Sequence, residues 1–297
     1  MRKKEVQLSR LVNHSKPRAV FNAVKKIFLY YYPKNEFSIV RNDFKIVKDL
    51  FGGDFIGYRA CNTEYHNLNH TMDAMLAAAR LIDGYNLTVR VMDCRTVVRL
   101  LLAALFHDTG YIQEVWDTIG TGAKYTKTHV NRSIVFIEKN KQKLGLSEVD
   151  VQIIGRIISC TGVYVNWNEL SFKTEEERIA GAMMGTADLL GQMADRLYLE
   201  KLLFLYYEFK EAGIPDYNTE YDIIRKTLDF YEITKKSFEG TLLKVYKYAR
   251  AHFKERYKID KNLYIEAIEK HIDYLRKIIA DSSTNFRKKL KRRVGQA

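Results

Sequence analysis

Proline and cysteine are both rare in this chain, and each scarcity excludes a class of protein. Only three prolines occur in 297 residues, so little in the sequence interrupts long helices. The three cysteines, Cys61, Cys94 and Cys160, are widely spaced and form no CxxC pair. That usage argues against a disulfide scaffold or a zinc ribbon and is typical of a reducing compartment. We interpret all three cysteines as core residues.

Long apolar runs are also missing. No stretch approaches the ~18 uncharged apolar residues that a transmembrane helix requires, and the N-terminal sequence MRKKEVQLSR has no apolar signal core. We therefore expect a soluble, cytoplasmic protein without a membrane span.

Positive charge is concentrated at the two ends of the chain. Residues 1–59 contain 13 basic and 5 acidic side chains, and residues 282–297 contain 6 basic and none acidic, whereas residues 60–281 are nearly neutral. The tail NFRKKLKRRVGQA could attract nucleic acid or anionic lipid, but a short basic terminus is more often a solvated end. We do not expect a nucleic-acid partner.

Apolar residues recur mainly at intervals of three and four, which predicts an all-α protein. The segment KPRAVFNAVKKIFLYYYPKN predicts an amphipathic helix that ends before Pro33. No repeat or low-complexity linker divides the chain, so we expect one helical domain over 1–297, with a functional half at about 60–195, a helical extension at about 196–280 and a basic tail at 282–297. The other predicted helices are about 70–83, 93–107, 127–143, 147–160, 174–194, 196–212, 217–237, 239–257 and 261–280.

An unusual polar pair ends the most apolar predicted helix. The run from Leu100 to Phe106 is apolar on nearly all sides and is followed at once by His107 and Asp108. Burying an ionised group without a partner costs on the order of several kcal/mol, and a divalent cation would satisfy both side chains. The alternative is a structural His–Asp pair satisfied by backbone groups at the helix end.

Three further residues complete a pattern of metal-type ligands. His66 and His70, in EYHNLNH, are four apart and so share one helix face. Asp188 is a lone acid in the apolar segment IAGAMMGTADLLG; it could instead cap a backbone or pair with Arg178 or Arg196. The HD dipeptide begins 37 residues after His70, and Asp188 lies 80 residues after Asp108.

The order H…HD…D, formed by His70, His107, Asp108 and Asp188, resembles the HD-domain superfamily of metal-dependent phosphohydrolases. The segment YHNLNHTMDAM is similar to the YHNxxHAxDV motif of the cyclic-nucleotide phosphodiesterases. The resemblance covers about 60–195 and implies an HD-domain helical bundle with additional N- and C-terminal helices. It implies one or two divalent metal ions (Mn, Fe, Ni, Zn, Co or Mg) held by those four residues, with His66 as the general acid and Asp108 at the reacting centre, able to bridge two metals.

The sequence departs from the phosphodiesterase pattern after the HD dipeptide. It reads HDTGYIQ where those enzymes have HDxxHxG, and the only glutamines after Asp188 are Gln192 and Gln296, so the residue that clamps a purine in those enzymes has no counterpart. HDTGY is instead similar to bacterial HD hydrolases with varied substrates.

Four more side chains extend the predicted site. His129, in KYTKTHVNRS, is either a fifth metal ligand or an exposed histidine at a helix start. Lys124, Lys127 and Arg132 surround it and are candidate phosphate contacts, or else solvated cations.

We therefore expect a metal-dependent hydrolase that acts on a nucleotide or related phosphoester through metal-activated water. The alternative is a catalytically silent HD-domain module that senses a nucleotide. Tyrosines in the C-terminal helices could close the site or form a homodimer surface.

Overall fold

The structure, a computed structural model, describes residues 6–161 and 166–292. Within these ranges the chain forms eleven α-helices, and its only β-type pairing there is an isolated bridge between Tyr58 and Glu114. The predicted all-α class is confirmed. The helices are α1 (Pro17–Phe28), α2 (Ser38–Gly52), α3 (Leu68–Thr88), α4 (Cys94–Phe106), α5 (His129–Leu144), α6 (Glu148–Ile158), α7 (Glu175–Met193), α8 (Tyr198–Glu211), α9 (Glu220–Glu239), α10 (Tyr248–Tyr257) and α11 (Leu263–Ala280).

Helix α3 lies at the centre of the fold. Every side chain from His70 to Asn86 is buried, as expected for a helix that is apolar on most of its faces. It packs mainly against α7, α10, α1 and α4. Because polar residues on α3 cannot reach solvent, each of them needs a partner inside the protein.

Most helices lie where the apolar period predicts them, but two segments differ. Helix α2 was not predicted, and its buried face includes Asp43 among apolar residues, which interrupts the pattern. The helix predicted over 239–257 is wrong in its first part, since α10 begins at Tyr248. Leu243 and Lys244 have positive φ angles of 52° and 59°, a conformation that an α-helix does not accommodate.

The interpretation of the cysteines as core residues is confirmed for Cys160, and the other two pack against the edge of the core. Cys160 is buried, whereas Cys61 and Cys94 are only partly buried. Cys61 lies in the irregular segment before α3, and Cys94 is the first residue of α4.

Among the described residues, no helix combines the length and the apolar character needed to cross a membrane. The part of the basic tail that is described includes a short 3-10 turn at Phe286–Lys288, and Arg287 there pairs with Glu220. The end of the tail, 293–297, and residues 162–165 lie outside the described residues.

Candidate metal centre

Four of the predicted ligand residues meet where α3, α4 and α7 come together. His70 Nε2 lies 3.0 Å from Asp188 Oδ1 and 3.4 Å from Asp108 Oδ2. His107 Nε2 lies 3.3 Å from Asp108 Oδ2 and 3.6 Å from Asp188 Oδ1. We call these four residues the HHDD cluster. The structure brings them together, and their role as metal ligands remains a prediction.

Local sequence explains how each helix presents its ligand. Asn67 begins α3, because its side-chain oxygen accepts the backbone N–H groups of Asn69 and His70 at 3.0 and 3.3 Å. His70 therefore lies in the first turn. On α7, a Cβ atom at Gly191 would lie 2.9 Å from the backbone nitrogen of Ala74. The missing side chain lets α7 approach α3 closely, which brings Asp188 to His70.

The atoms that face the centre of the HHDD cluster lack hydrogen-bond partners. His107 Nε2, Asp108 Oδ2 and Asp188 Oδ1 are buried and make no hydrogen bond. The Nδ1–H of His107 donates to the carbonyl of Ala104 at 3.0 Å, so the Nε2 lone pair points toward the two carboxylates. Buried polar atoms normally have partners, and lone pairs that converge in this way suit a cation.

The alternatives left open by the sequence receive little support from these contacts. Backbone groups at the end of α4 satisfy only one nitrogen of His107 and do not satisfy Asp108 Oδ2. Arg178 pairs with Glu175, and no ion pair joins Arg196 to Asp188. Within the described ranges, no lysine or arginine forms an ion pair with either carboxylate of the cluster.

The electrostatics of the cluster favour positive charge. Burial lowers the pKa of His107, but the carboxylates of Asp108 and Asp188 outweigh burial and raise this pKa to about 9. Burial raises the pKa of each carboxyl group, yet the neighbouring imidazoles hold both pKa values below their ordinary range. The two carboxylates therefore remain ionised in the interior and attract a cation.

His66 lies beside the cluster and has a partner that the sequence did not reveal. Its Nδ1–H donates to Glu208 Oε2 at 2.5 Å, and the other oxygen of Glu208 accepts the backbone N–H of Tyr65 at 2.7 Å. Burial opposes protonation of His66, but Glu208 raises its pKa above the ordinary value. Glu208 is the only acid in the run FLYYEF of α8. An acid in such an apolar run is expected to be buried with a partner, and this was the feature of the sequence that could have identified it.

Tyr111, in the HDTGY segment, holds the imidazole of His66 in place. The two rings stack with centroids 4.3 Å apart and planes at 11°, and the tyrosine hydroxyl is 3.5 Å from His66 Nε2. Tyr111 also stacks on His129, with centroids 4.6 Å apart. This residue occupies the position at which the phosphodiesterase motif has its additional histidine.

His129 lies at the margin of the cluster. Its Nε2 is 3.9 Å from Asp108 Oδ1, and its Nδ1–H donates to the carbonyl of Thr126 at 2.8 Å. A Cβ atom at Gly110 would lie 1.9 Å from the carbonyl oxygen of His129, so glycine there allows the start of α5 to approach the HDTG turn. Burial lowers the pKa of His129, which leaves a neutral imidazole directed at Asp108.

The three predicted phosphate contacts all have partners within the protein, two of them in the loop between Gly110 and α5. Lys124 pairs with Asp117, and Lys127 donates to the carbonyl of Gly213 at 2.9 Å. Arg132 pairs with Glu114 and also lies over the ring of Tyr125. These contacts hold the loop together, and a role in phosphate binding stays a prediction.

Comparison with known proteins gives one family. The model of a family described as Npun_R2479-like matches residues 116–269, just over half of the chain. Asp188 and Glu208 lie inside the matched range, whereas His70, His107 and Asp108 lie before it. No curated protein and no solved structure matches the sequence. The chain belongs to the Npun_R2479-like family.

Proposed function

We propose that this protein is a metal-dependent phosphohydrolase that acts on a nucleotide or a related phosphoester. The observation that carries the proposal is the convergence of three buried, unpartnered ligand atoms, His107 Nε2, Asp108 Oδ2 and Asp188 Oδ1, with His70 Nε2 close to two of them. The sequence resemblance to HD-domain phosphohydrolases supports the same assignment.

The donor set fits a divalent cation. Two imidazole nitrogens, which would give up any proton to bind the ion, and two carboxylate oxygens suit Mn, Fe, Ni, Zn, Co or Mg. His129 and Asp108 Oδ1 lie beside the first set and would hold a second ion, if there is one. A cation bound here would lower the pKa of a coordinated water and neutralise negative charge on the phosphoryl oxygens.

His66 is the residue that we assign to protonating the leaving oxygen. Its Nδ1–H is held by Glu208, so Nε2 is the nitrogen that carries the transferable proton. The Glu208 carboxylate stabilises the imidazolium form, and the stacked ring of Tyr111 fixes the plane of the imidazole. General acid catalysis of this kind contributes about 10²–10⁴-fold in rate.

The test combines elemental analysis with turnover. Protein stripped by a chelator is reloaded with each metal separately and assayed on bis-(p-nitrophenyl) phosphate and on cyclic, mono- and triphosphate nucleotides. We expect metal-dependent release of product that is lost in His107→Ala and in Asp108→Asn. Asp229→Asn, at an exposed position on α9, is the matched control and should keep full activity.

Two outcomes would count against the proposal. Protein that retains no metal under any loading condition would remove its basis. Protein that holds metal and binds a nucleotide tightly, but forms no product over hours, would favour the nucleotide-sensing module over the enzyme.

A further inference from the structure

Helices α1 and α2 form an antiparallel pair joined by aromatic rings. Phe21 of α1 stacks on Phe44 of α2, with ring centroids 4.2 Å apart and planes at 15°. Phe28, at the end of α1, contacts Phe37, at the start of α2, with centroids 5.0 Å apart. The stacked rings therefore mark a seam that runs between the two helices.

Four basic side chains line the solvent side of this seam. Arg18 and Lys25 lie three residues before and four residues after Phe21, and Arg41 and Lys48 have the same relation to Phe44. Residues at these spacings are neighbours on one helix face. The buried residues of each helix lie on the opposite side of the rings, so the four cations point away from the core. We call these four residues the basic seam. The buried residues are Val20, Val24 and Ile27 of α1 and Val40, Val47 and Leu50 of α2.

The cations of the basic seam have no acidic partner. Among the described residues up to Lys48, none of the nine lysines and arginines forms an ion pair, although all but Lys25, which is half-buried, are exposed. Of the acids nearest to the basic seam, Asp43 is buried and Asp49, next to Lys48, forms no ion pair. In the C-terminal helices, by contrast, several surface cations pair with acids, as Arg250 and Lys254 do with Asp260.

We propose that the basic seam binds the sugar-phosphate backbone of a nucleic acid, independently of base sequence. The members of each row are about 10 Å apart along their helix, so a strand lying along the seam would have its phosphates between two rows of positive charge. Binding to a membrane surface fits less well, because the apolar faces of α1 and α2 are buried in the core and are not free to insert into lipid.

This partner differs from the expectation drawn from the sequence alone. The sequence locates an excess of positive charge near the N-terminus, but it does not show that four cations converge on one seam or that they lack ion-pair partners. The inference is independent of the proposed phosphohydrolase activity, because it concerns a different surface and a binding measurement.

The test is fluorescence anisotropy with a labelled 20-nucleotide oligouridylate RNA, titrated at several salt concentrations. The variant Lys25→Gln/Lys48→Gln removes two seam cations. The control Lys236→Gln/Lys277→Gln removes two exposed cations that have no ion-pair partner, on α9 and α11. We expect the seam variant to bind at least tenfold more weakly and to lower the slope of log Kd against log salt by about 1.4. The control should change the affinity less than twofold.

Circular dichroism checks that each variant is folded. Lys25 is half-buried, so if its replacement prevents folding, Arg18→Gln/Arg41→Gln is used as the seam variant instead. Absence of binding by the unaltered protein at 50 mM salt would overturn the proposal. Equal losses in the seam and control variants would also overturn it, since the effect would then reflect net charge. Binding to phosphatidylserine vesicles without binding to RNA would assign the seam to a membrane surface instead.

Discussion

Two buried groups of histidine and aspartate lie at opposite ends of helix α3, and they differ in how their polar atoms are satisfied. At the C-terminal end, Asp83 accepts four hydrogen bonds: from Tyr31 Oη at 2.8 Å, His252 Nδ1 at 2.6 Å, and Arg256 Nη2 and Nε at 2.7 and 3.0 Å. At the N-terminal end, His70 belongs to the HHDD cluster, in which three of the facing atoms have no hydrogen-bond partner.

The difference lies in the source of positive charge. The Asp83 network contains its own cation, Arg256, and burial lowers the pKa of His252 to about 4, so that this imidazole is neutral. In the HHDD cluster no arginine or lysine among the described residues pairs with the carboxylates, and the pKa of His107 is instead raised to about 9. A buried His–Asp pair is therefore structural where the fold supplies the cation, and suited to a ligand where it does not.

The largest expected effect is on folding stability at the Asp83 network. Asp83→Asn removes the charge that compensates Arg256 and leaves this guanidinium unpaired in a largely buried position. Breaking one partner of a buried ion pair costs about 3–5 kcal/mol, which guanidinium-induced unfolding would measure. Metal content should be unchanged, and a loss of metal in Asp83→Asn would show that the two ends of α3 are not independent.

The next largest effect separates the two histidines of the EYHNLNH segment. His66→Ala should retain metal and lose about 10²–10⁴-fold in turnover, since His66 lies beside the cluster and is held by Glu208 rather than by the carboxylates of the cluster. His70→Ala should lose metal as well. Metal content by elemental analysis and rates on the same preparations provide the measurement. Equal loss of metal in both variants would contradict the division of roles.

A third prediction mirrors the first at the other end of α3. Asp188→Asn has the same shape as the native residue but lowers the charge that attracts a cation, so metal affinity should fall at least about 100-fold, more than for loss of a supporting residue. The metal-free variant should lose less stability than Asp83→Asn, because no lysine or arginine among the described residues depends on the charge of Asp188 and its Oδ1 atom has no well-formed hydrogen bond. A stability loss as large as that in Asp83→Asn would make Asp188 a structural residue.

Sequence reasoning located the members of the HHDD cluster because each one interrupts an apolar run. The same reasoning missed Glu208, since the contact between α8 and His66 depends on how distant helices pack. It also missed α2, whose buried face carries Asp43 in place of an apolar residue. The apolar period predicts which residues are buried, but it does not specify which buried polar atoms will meet.

The Asp83 network also shows that the apolar period does not specify which buried polar groups will meet. His252 and Asp83 are 169 residues apart, and nothing local to either marks them as a pair. The sequence analysis selected neither residue, because Asp83 follows an apolar run without an adjacent histidine. The apolar pattern therefore located Asp188, which lies inside an apolar run, but gave no reason to pair Asp83 with a histidine 169 residues away.

The smallest expected effect tests how far the Asp83 carboxylate depends on one of its four hydrogen bonds. Tyr31→Phe removes one of the four hydrogen bonds to Asp83 and leaves Arg256 and His252 in place. Because three donors remain, no buried charge is left unpaired, and the cost should be about 1 kcal/mol. The shift of the guanidinium midpoint relative to Asp83→Asn measures it. A loss of unfolding free energy as large as that in Asp83→Asn would mean that the ion pair between Asp83 and Arg256 depends on the tyrosine. The contrast with the HHDD cluster would then be due to one hydroxyl group and not to the presence of Arg256.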